Sequence, residues 1–395
     1  MQEQSRYAVG IDVGTTMIRC VVGHVDPTTG TPTIVGVGQT PNTGMRKGTV
    51  VNLAGPAHAI DEALGDAERM SGHEVNDATI SANGSHILST KADGMIAVGM
   101  ADHEINSDDL ERLEEVATTG KVPANREILE VVPFSYTLDG QGGIKDPLGM
   151  TGTRLEINAN VISAMAPYIA TLQKASEMAT VTPNAVVPSV IAAAKATLGE
   201  SQLENGVAVI DIGGATTGVA VLEEGDLQFV GVVPKGGINI TNDLAIVLKT
   251  DPEVAEKVKI QHASALVRDT NEGVSVKHGE EILNFQTKEI DEIVEARLED
   301  IFEAVNRELT KAGRAGRVPS GVVITGGTAN LPGIAEYAKT QLGVAARVGT
   351  PSGFGGVADD IDKPQFAAAV GLMLIDAQGA PKHAASGVSS VKKAG

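Results

Sequence analysis

The sequence predicts a duplicated α/β protein: two related domains flank a cleft, and the first carries a small inserted α+β subdomain. Three observations predict it. An acidic hairpin is written twice, as AVGIDVGTTMIRCVVG at residues 8–23 and VAVIDIGGATTGVAVL at 207–222. The copies place Asp12 and Asp211 about half the chain apart. Between them, over 84–165, the pattern changes to short strands around an acidic helix. At 395 residues the chain is too long for one compact core.

Strands are expected at 7–13, 18–25 and 33–40, a helix over 54–71 stopped by Gly72, and a strand over 78–83. Together they form a mixed α/β unit. In the insert, Ser107 caps a helix over 107–120, with Asp108 and Asp109 in the first turn, where the helix dipole favours anions. Residues 126–140 and 154–164 alternate like exposed strands. A helix over 166–179 and the segment 186–199 lead back to the scaffold. The second half repeats the order: hairpin 207–223, strand 226–233 and a helix opened by PKGGINITNDLAIVL (234–248). Residues 251–320 are charged and helical. The longest helix, 288–312, carries Ile290, Ile293, Val294, Leu298, Ile301, Phe302, Val305 and Leu309 on one stripe. A strand, a Gly-rich turn and a helix follow over 321–343, and a last helix over 364–376. Residues 377–395 are small, polar and mildly basic and read as a flexible tail.

Each acidic hairpin has Asp at the end of an apolar run, then one or two glycines, then a Thr pair. Glycine lets backbone N–H groups point into a tight turn, and a concave array of them cradles phosphate oxygens. Gly14, Gly213 and Gly214 are the candidate cradle, with Met17 in the first turn. Thr15, Thr16, Thr216 and Thr217 add hydroxyl donors. Asp12 and Asp211 would repel phosphate directly. They make sense as outer partners of Mg²⁺, which keeps several of its waters. A single D-G hairpin is an ordinary strand connection. Two copies at matched positions favour a nucleotide and its metal. Gly326, Gly327 and Thr328, between a strand and a helix start, fit an adenosine pocket. Gly236 and Gly237 open a helix that could meet the outer phosphates. Glu256 and Lys259, at i and i+3 of one helix, are either a surface ion pair or a grip on ribose hydroxyls.

The net charge of −19 argues against nucleic acid as a partner, since phosphate neutralisation needs clustered Lys and Arg. It also argues against the folded body lying on an anionic membrane. Aromatic residues make up 3% with no Trp, too few for base-stacking platforms. The single Cys20 sits in an apolar strand pattern and reads as a buried, inert thiol. No signal peptide or membrane-spanning run is expected. The histidines show no metal spacing, and no G-x-S-x-G elbow or Walker-type loop is present.

The order of two phosphate hairpins and a Gly-Gly adenosine turn resembles the actin-like ATPase superfamily. Five stretches narrow the resemblance to FtsA, its bacterial cell-division branch: KGTVVNLAGPAHAIDEALGDAERMSG (47–72), ANGSHILST (82–90), VVPFSYTLDGQGGIKDPLGMTGTRLEINANVISA (131–164), VPKGGINITNDLA (233–245) and AEKVKIQHASA (255–265). It covers about 7–375. The resemblance implies RNase H-like cores IA (1–83 and 166–200) and IIA (201–243 and 321–376), an insertion subdomain IC (84–165), subdomain IIB (244–320) and the tail (377–395). It implies ATP and Mg²⁺ as cofactors, with Asp12 and Asp211 as the candidate catalytic residues holding Mg²⁺ through water. It implies head-to-tail self-assembly, tethering of FtsZ filaments at the cytoplasmic face of the membrane at the division site, and recruitment of late division membrane proteins. It favours the ribose role for Glu256 and Lys259 and docking of the FtsZ C-terminal peptide on IIB. There Arg297 and Arg307 are candidates on the exposed face of the 288–312 helix, against the alternative of solvated helix charges.

Four departures stand out. Met17 occupies a place where related ATPases often carry Lys or a hydroxyl, and Arg19 is two residues on. Ala215 replaces a third Gly, and Gly218 replaces a frequent Asp. These put fast hydrolysis in doubt. The tail lacks the hydrophobic stripe of the family's membrane helix, so the helix is missing from this sequence or tethering differs. Rival readings are the pilus-assembly ATP-binding protein PilM and a sugar or acetate kinase, which would need a catalytic base and an acceptor pocket.

Overall fold

The structure is a computed structural model and describes residues 6–99, 103–356 and 361–379. In chain order the first domain has β1 (Arg6–Val13), β2 (Met17–Val25), β3 (Pro32–Pro41), the short β4 (Met45–Arg46) and β5 (Thr49–Val50), α1 (Ala54–Ser71) and β6 (Asp77–Ala82). The insert follows with β7 (Leu88–Ala97), α2 (Ser107–Thr118), β8 (Arg126–Leu138), β9 (Gln141–Ile144) and β10 (Arg154–Met165). The chain returns through α3 (Ala166–Met178), β11 (Thr182–Pro188), α4 (Ser189–Thr197) and α5 (Glu200–Asn205). The second domain has β12 (Val207–Ile212), β13 (Thr217–Glu223), β14 (Asp226–Val233), α6 (Gly237–Val247), α7 (Pro252–His262), β15 (Gly273–His278), β16 (Glu281–Gln286) and α8 (Thr287–Lys311). It closes with β17 (Val322–Thr325), α9 (Ile334–Leu342), β18 (Ala346–Val348) and α10 (Ala367–Gln378).

The duplication is plain in the sheets. One runs β11-β6-β1-β2-β3 and the other β18-β17-β12-β13-β14. In each, an antiparallel acidic hairpin is flanked by a parallel strand, β6 beside β1 and β17 beside β12. Parallel sheets are covered on both faces, and the central strands accordingly read as continuous apolar runs. Ile11, Ile18, Ile80, Val209, Ile210 and Ile324 are all fully or almost fully buried.

The two domains exchange their last helices. α4 follows β11 yet also packs on β12 and β13. α10 follows β18 yet packs on β1, β2 and α4, so the sequence division that groups its residues with the second domain misses its contacts. Ala8, Val21, Phe366, Val370 and Met373 close this junction. Gly371 allows it, because a Cβ there would lie 1.7 Å from the Ala192 carbonyl oxygen.

The insert is an antiparallel sheet, β7-β10-β8-β9, with α2 against β7 and β10. Asn106 caps α2 by accepting from the Asp109 N–H, one residue before the predicted cap. β10 is central and mostly buried, not the exposed strand its alternation suggested. The insert leans on β14: the Asn160 side-chain amide donates to the Leu227 carbonyl at 3.0 Å, and Lys145 pairs with Asp226 at 2.5 Å. In the charged region a hairpin, β15–β16, stands where helix was expected. The tail prediction begins inside α10, and residues 380–395 lie outside the described residues. No helix among the described residues is long and apolar enough to cross a membrane.

Candidate functional site

Asp12 and Asp211 are the penultimate residues of β1 and β12, and both are almost wholly buried. Their surroundings repeat across the pseudo-symmetry. Ser81, on β6, donates to Asp12 Oδ1 at 2.8 Å, and Thr325, on β17, sits 3.4 Å from Asp211 Oδ1 as donor. Ser189, the first residue of α4, adds a bond to Asp211 Oδ2 at 3.2 Å. Burial, then the negative charge of Asp12, pushes the Asp211 carboxyl up to about 6. Burial likewise raises Asp12, opposed by Arg19 and the Ser81 hydrogen bond. Two buried carboxylates, one of them raised by the other's charge, favour a shared cation. The oxygen-only donors fit Mg²⁺, which the carboxylates would hold through its waters. No cluster of three or more His, Cys, Asp or Glu able to hold a metal directly occurs among the described residues.

The first turn is held from outside the hairpin. The Asn42 side-chain amide donates to the Gly14 carbonyl at 2.7 Å, and the Asn42 N–H to the Thr16 carbonyl at 2.9 Å. The Gly48 N–H donates to Thr15 Oγ1 at 3.0 Å. The second turn is wrapped by two other loops. The N–H groups of Gly237 and Ile238 donate to the carbonyls of Gly213 and Gly214, and Thr328 Oγ1 donates to the Gly213 carbonyl at 3.3 Å. A Cβ on Gly236 would stand 2.5 Å from the Gly213 carbonyl oxygen, so only glycine permits this approach. Gly326 has a φ of 86°, and its Cβ would meet Asp211 Oδ1 at 2.6 Å. The four predicted loops thus converge on one cleft.

Four candidates have partners within the protein. Thr217 is fully buried, and its hydroxyl donates to the Lys235 carbonyl at 2.9 Å. That bond fixes the Gly236 loop. Lys259 bonds Glu256 at 2.6 Å, Thr241 Oγ1 at 2.8 Å and the Gly237 carbonyl at 3.2 Å. The pair therefore ties α7 to α6 beneath Gly237. Arg297 is not on an exposed face: it is half-buried, forks onto Asp243 at 2.5 and 3.0 Å, and reaches Asp300 at 2.7 Å. Arg307 is exposed, with Glu303 at 3.7 Å. Gly218 has a packing reason, since a Cβ there would lie 2.7 Å from Val190 Cβ on α4. An Asp does not fit.

Sequence reasoning missed Ser81, Ser189, Thr325, Asn42 and Gly48. Ser81, Ser189, Thr325 and Asn42 act through polar side chains and Gly48 through its backbone N–H, each far from the hairpin it serves, with no local pattern to mark it.

A family model for cell division protein FtsA matches residues 208–371, and one for the SHS2 domain inserted in FtsA matches 84–163. Cell division protein FtsA of Bacillus subtilis is 35% identical over 369 residues, covering 92% of this chain and 82% of that protein. That of Pseudomonas aeruginosa is 31% identical over 380 residues, covering 95% and 90%. Among solved structures, the PilM-PilN type IV pilus biogenesis complex aligns with a TM-score of 0.69 at 17% identity, over 94% of this chain and 98% of that one. MreB5 of Spiroplasma citri bound to ADP aligns at 0.54 and 13%, over 94% and 96%. At such identities the likeness shows the fold, which is actin-like. With the SHS2 insertion at 84–163 and FtsA relatives matched along nearly all of its length, the chain belongs to the FtsA family of cell division proteins.

Proposed function

We propose that this chain binds ATP with Mg²⁺ between its two domains, polymerises head to tail, and tethers FtsZ filaments at the cytoplasmic face of the membrane during division. The observation that carries the nucleotide reading is the pair of buried aspartates, each at a glycine-rich turn with its own hydroxyl partner from the neighbouring parallel strand. Bound Mg²⁺ would supply charge neutralisation between carboxylates and phosphates. Thr15, Thr16 and Thr216 and the turn N–H groups would hold phosphate, while Gly326, Gly327 and Thr328 would hold the nucleoside. Turnover is expected to be slow. The side chains bonded to Asp211 are hydroxyls, which do not serve as a general base near neutral pH. The acidic FtsZ peptide would meet α8 through Arg307, and late division proteins would meet the insert.

Nucleotide-dependent assembly tests the reading. Filaments on electron microscopy grids and sedimentation with ATP, lost in Asp12→Ala and Asp211→Ala, are the expected result. A protein that stays monomeric with ATP, with and without lipid, refutes it.

A further inference from the structure

A groove of about 560 Å³ opens where the insert meets both domains. No residue of the two glycine-rich turns lines it. Leu129 of β8, Ile191 of α4, Leu203 of α5, Leu222 of β13 and Ile375 of α10 make its walls apolar. Its volume falls in the ~300–1,000 Å³ range of clefts that hold a ligand. Glu130, the next residue of β8, reaches the same groove and is half-buried. Burial alone raises its carboxyl, with no cation acting to offset it. Lys195 also lines the groove, but it is exposed and forms no ion pair with Glu130 among the described residues. With Glu200 on the same walls, acidic residues outnumber basic ones there.

A carboxylate held among apolar walls is costly until a cation meets it. Gln378 and Gly379, where the described chain leaves α10, themselves line the groove. Residues 380–395 follow directly, with Lys382, His383, Lys392 and Lys393 and no Asp or Glu. This stretch is basic in a chain whose net charge is −19. Lys382 lies within about 10 Å of extended chain from Gly379. Ala380, Pro381, Ala384 and Ala385 around it are small and suit apolar walls. We infer that residues 380–395 dock back into this groove, with Ala380 to Ala385 on its apolar walls and Lys382 against Glu130. The docked segment is a strap that ties the insert to both domains at once. The groove opens to another basic peptide only when the strap is drawn out.

The test is amide hydrogen exchange of the full chain, with a synthetic peptide of residues 380–395 as the free reference. Amides of 381–386 are expected to exchange about tenfold or more slowly in the full chain than in the peptide. Glu130→Lys and Lys382→Glu should each bring them within about threefold of the peptide, the effect of losing one charge-assisted pair. The double charge swap should restore protection. Exchange at the free-peptide rate in wild type overturns the inference. Protection that survives both single reversals also overturns it, because the segment then docks elsewhere. Should Glu130→Lys not fold, Lys382→Glu decides alone: loss of protection supports the inference and retention overturns it. A freely exchanging segment, with β11 and α4 gaining protection as protein concentration rises, makes a second copy the occupant and overturns it too.

Discussion

Gly214 and Thr16 meet across the cleft: a Cβ on Gly214 would stand 2.5 Å from Thr16 Oγ1 and 2.6 Å from Thr16 Cγ2. The two glycine-rich turns, far apart in sequence, are therefore in near contact, and the site closes only while both keep their small residues. Gly214→Ala is expected to push the turns apart and weaken ATP about tenfold or more, because a misplacement of about 1 Å in a closed site is costly. Thr16→Ala removes both clashing atoms and should restore part of that loss in the double variant. Calorimetric titration of the single and double variants checks this. Independent, additive effects would show that the contact does not govern closure.

Asp211 gives the protein a pH dependence of definite sign. Its carboxyl is raised from an ordinary 3.8 to about 6 in the folded state. Between those values the folded state holds a proton that the unfolded chain has released. The contribution to stability is thus present below pH 3.8, falls as pH rises toward 6, and stays lost above it. Asp211→Asn should raise the melting temperature at pH 7.5 by removing a cost on the order of 2–3 kcal/mol. The advantage should narrow steadily toward pH 4. A gap that does not change with pH would contradict this account.

Arg297 and Arg307 lie on the same helix and should behave oppositely. Arg297→Ala leaves Asp243 without its fork and Asp300 with Lys235 alone, and is expected to lower stability by about 1–2 kcal/mol. Arg307→Ala should leave the urea midpoint unchanged, since its partner is exposed and distant. Only Arg307→Glu is then a clean probe of FtsZ-peptide docking.

Asn160 fixes the insert to the second domain. It is fully buried, accepts from Ser89 Oγ at 2.6 Å and donates to the Leu227 carbonyl. Asn160→Ala leaves both partners unpaired, a cost of about 2 kcal/mol. Hydrogen exchange should then rise along β10 and β14 together. Protection like that of wild type would mean that Lys145 and Asp226 suffice.

Cys20 is fully buried, and burial pushes its thiol up to about 12. The thiolate is the reactive form, so native protein should resist maleimide and react only on unfolding. Rapid labelling of the folded chain would contradict the packing of β2.

The sequence by itself determined much of this protein. Local patterns fixed α1 to its residues and the acidic hairpins to their turns, because glycine turns, helix stops and apolar periods act over a few residues. Tertiary structure decided the rest. Nothing local distinguishes Thr216 from Thr217, yet only their packing sends the Thr217 hydroxyl to Lys235. Arg297 reads as an outward charge until α6 brings Asp243 against it. α10 leaves the second domain and covers the first, because the apolar faces of β1 and β2 offer it more buried contact than its own sheet does. Ser81, Ser189 and Thr325 become partners of the aspartates only when parallel strands and a helix end converge from distant parts of the chain, a relation set by the duplicated topology and carried by no short pattern.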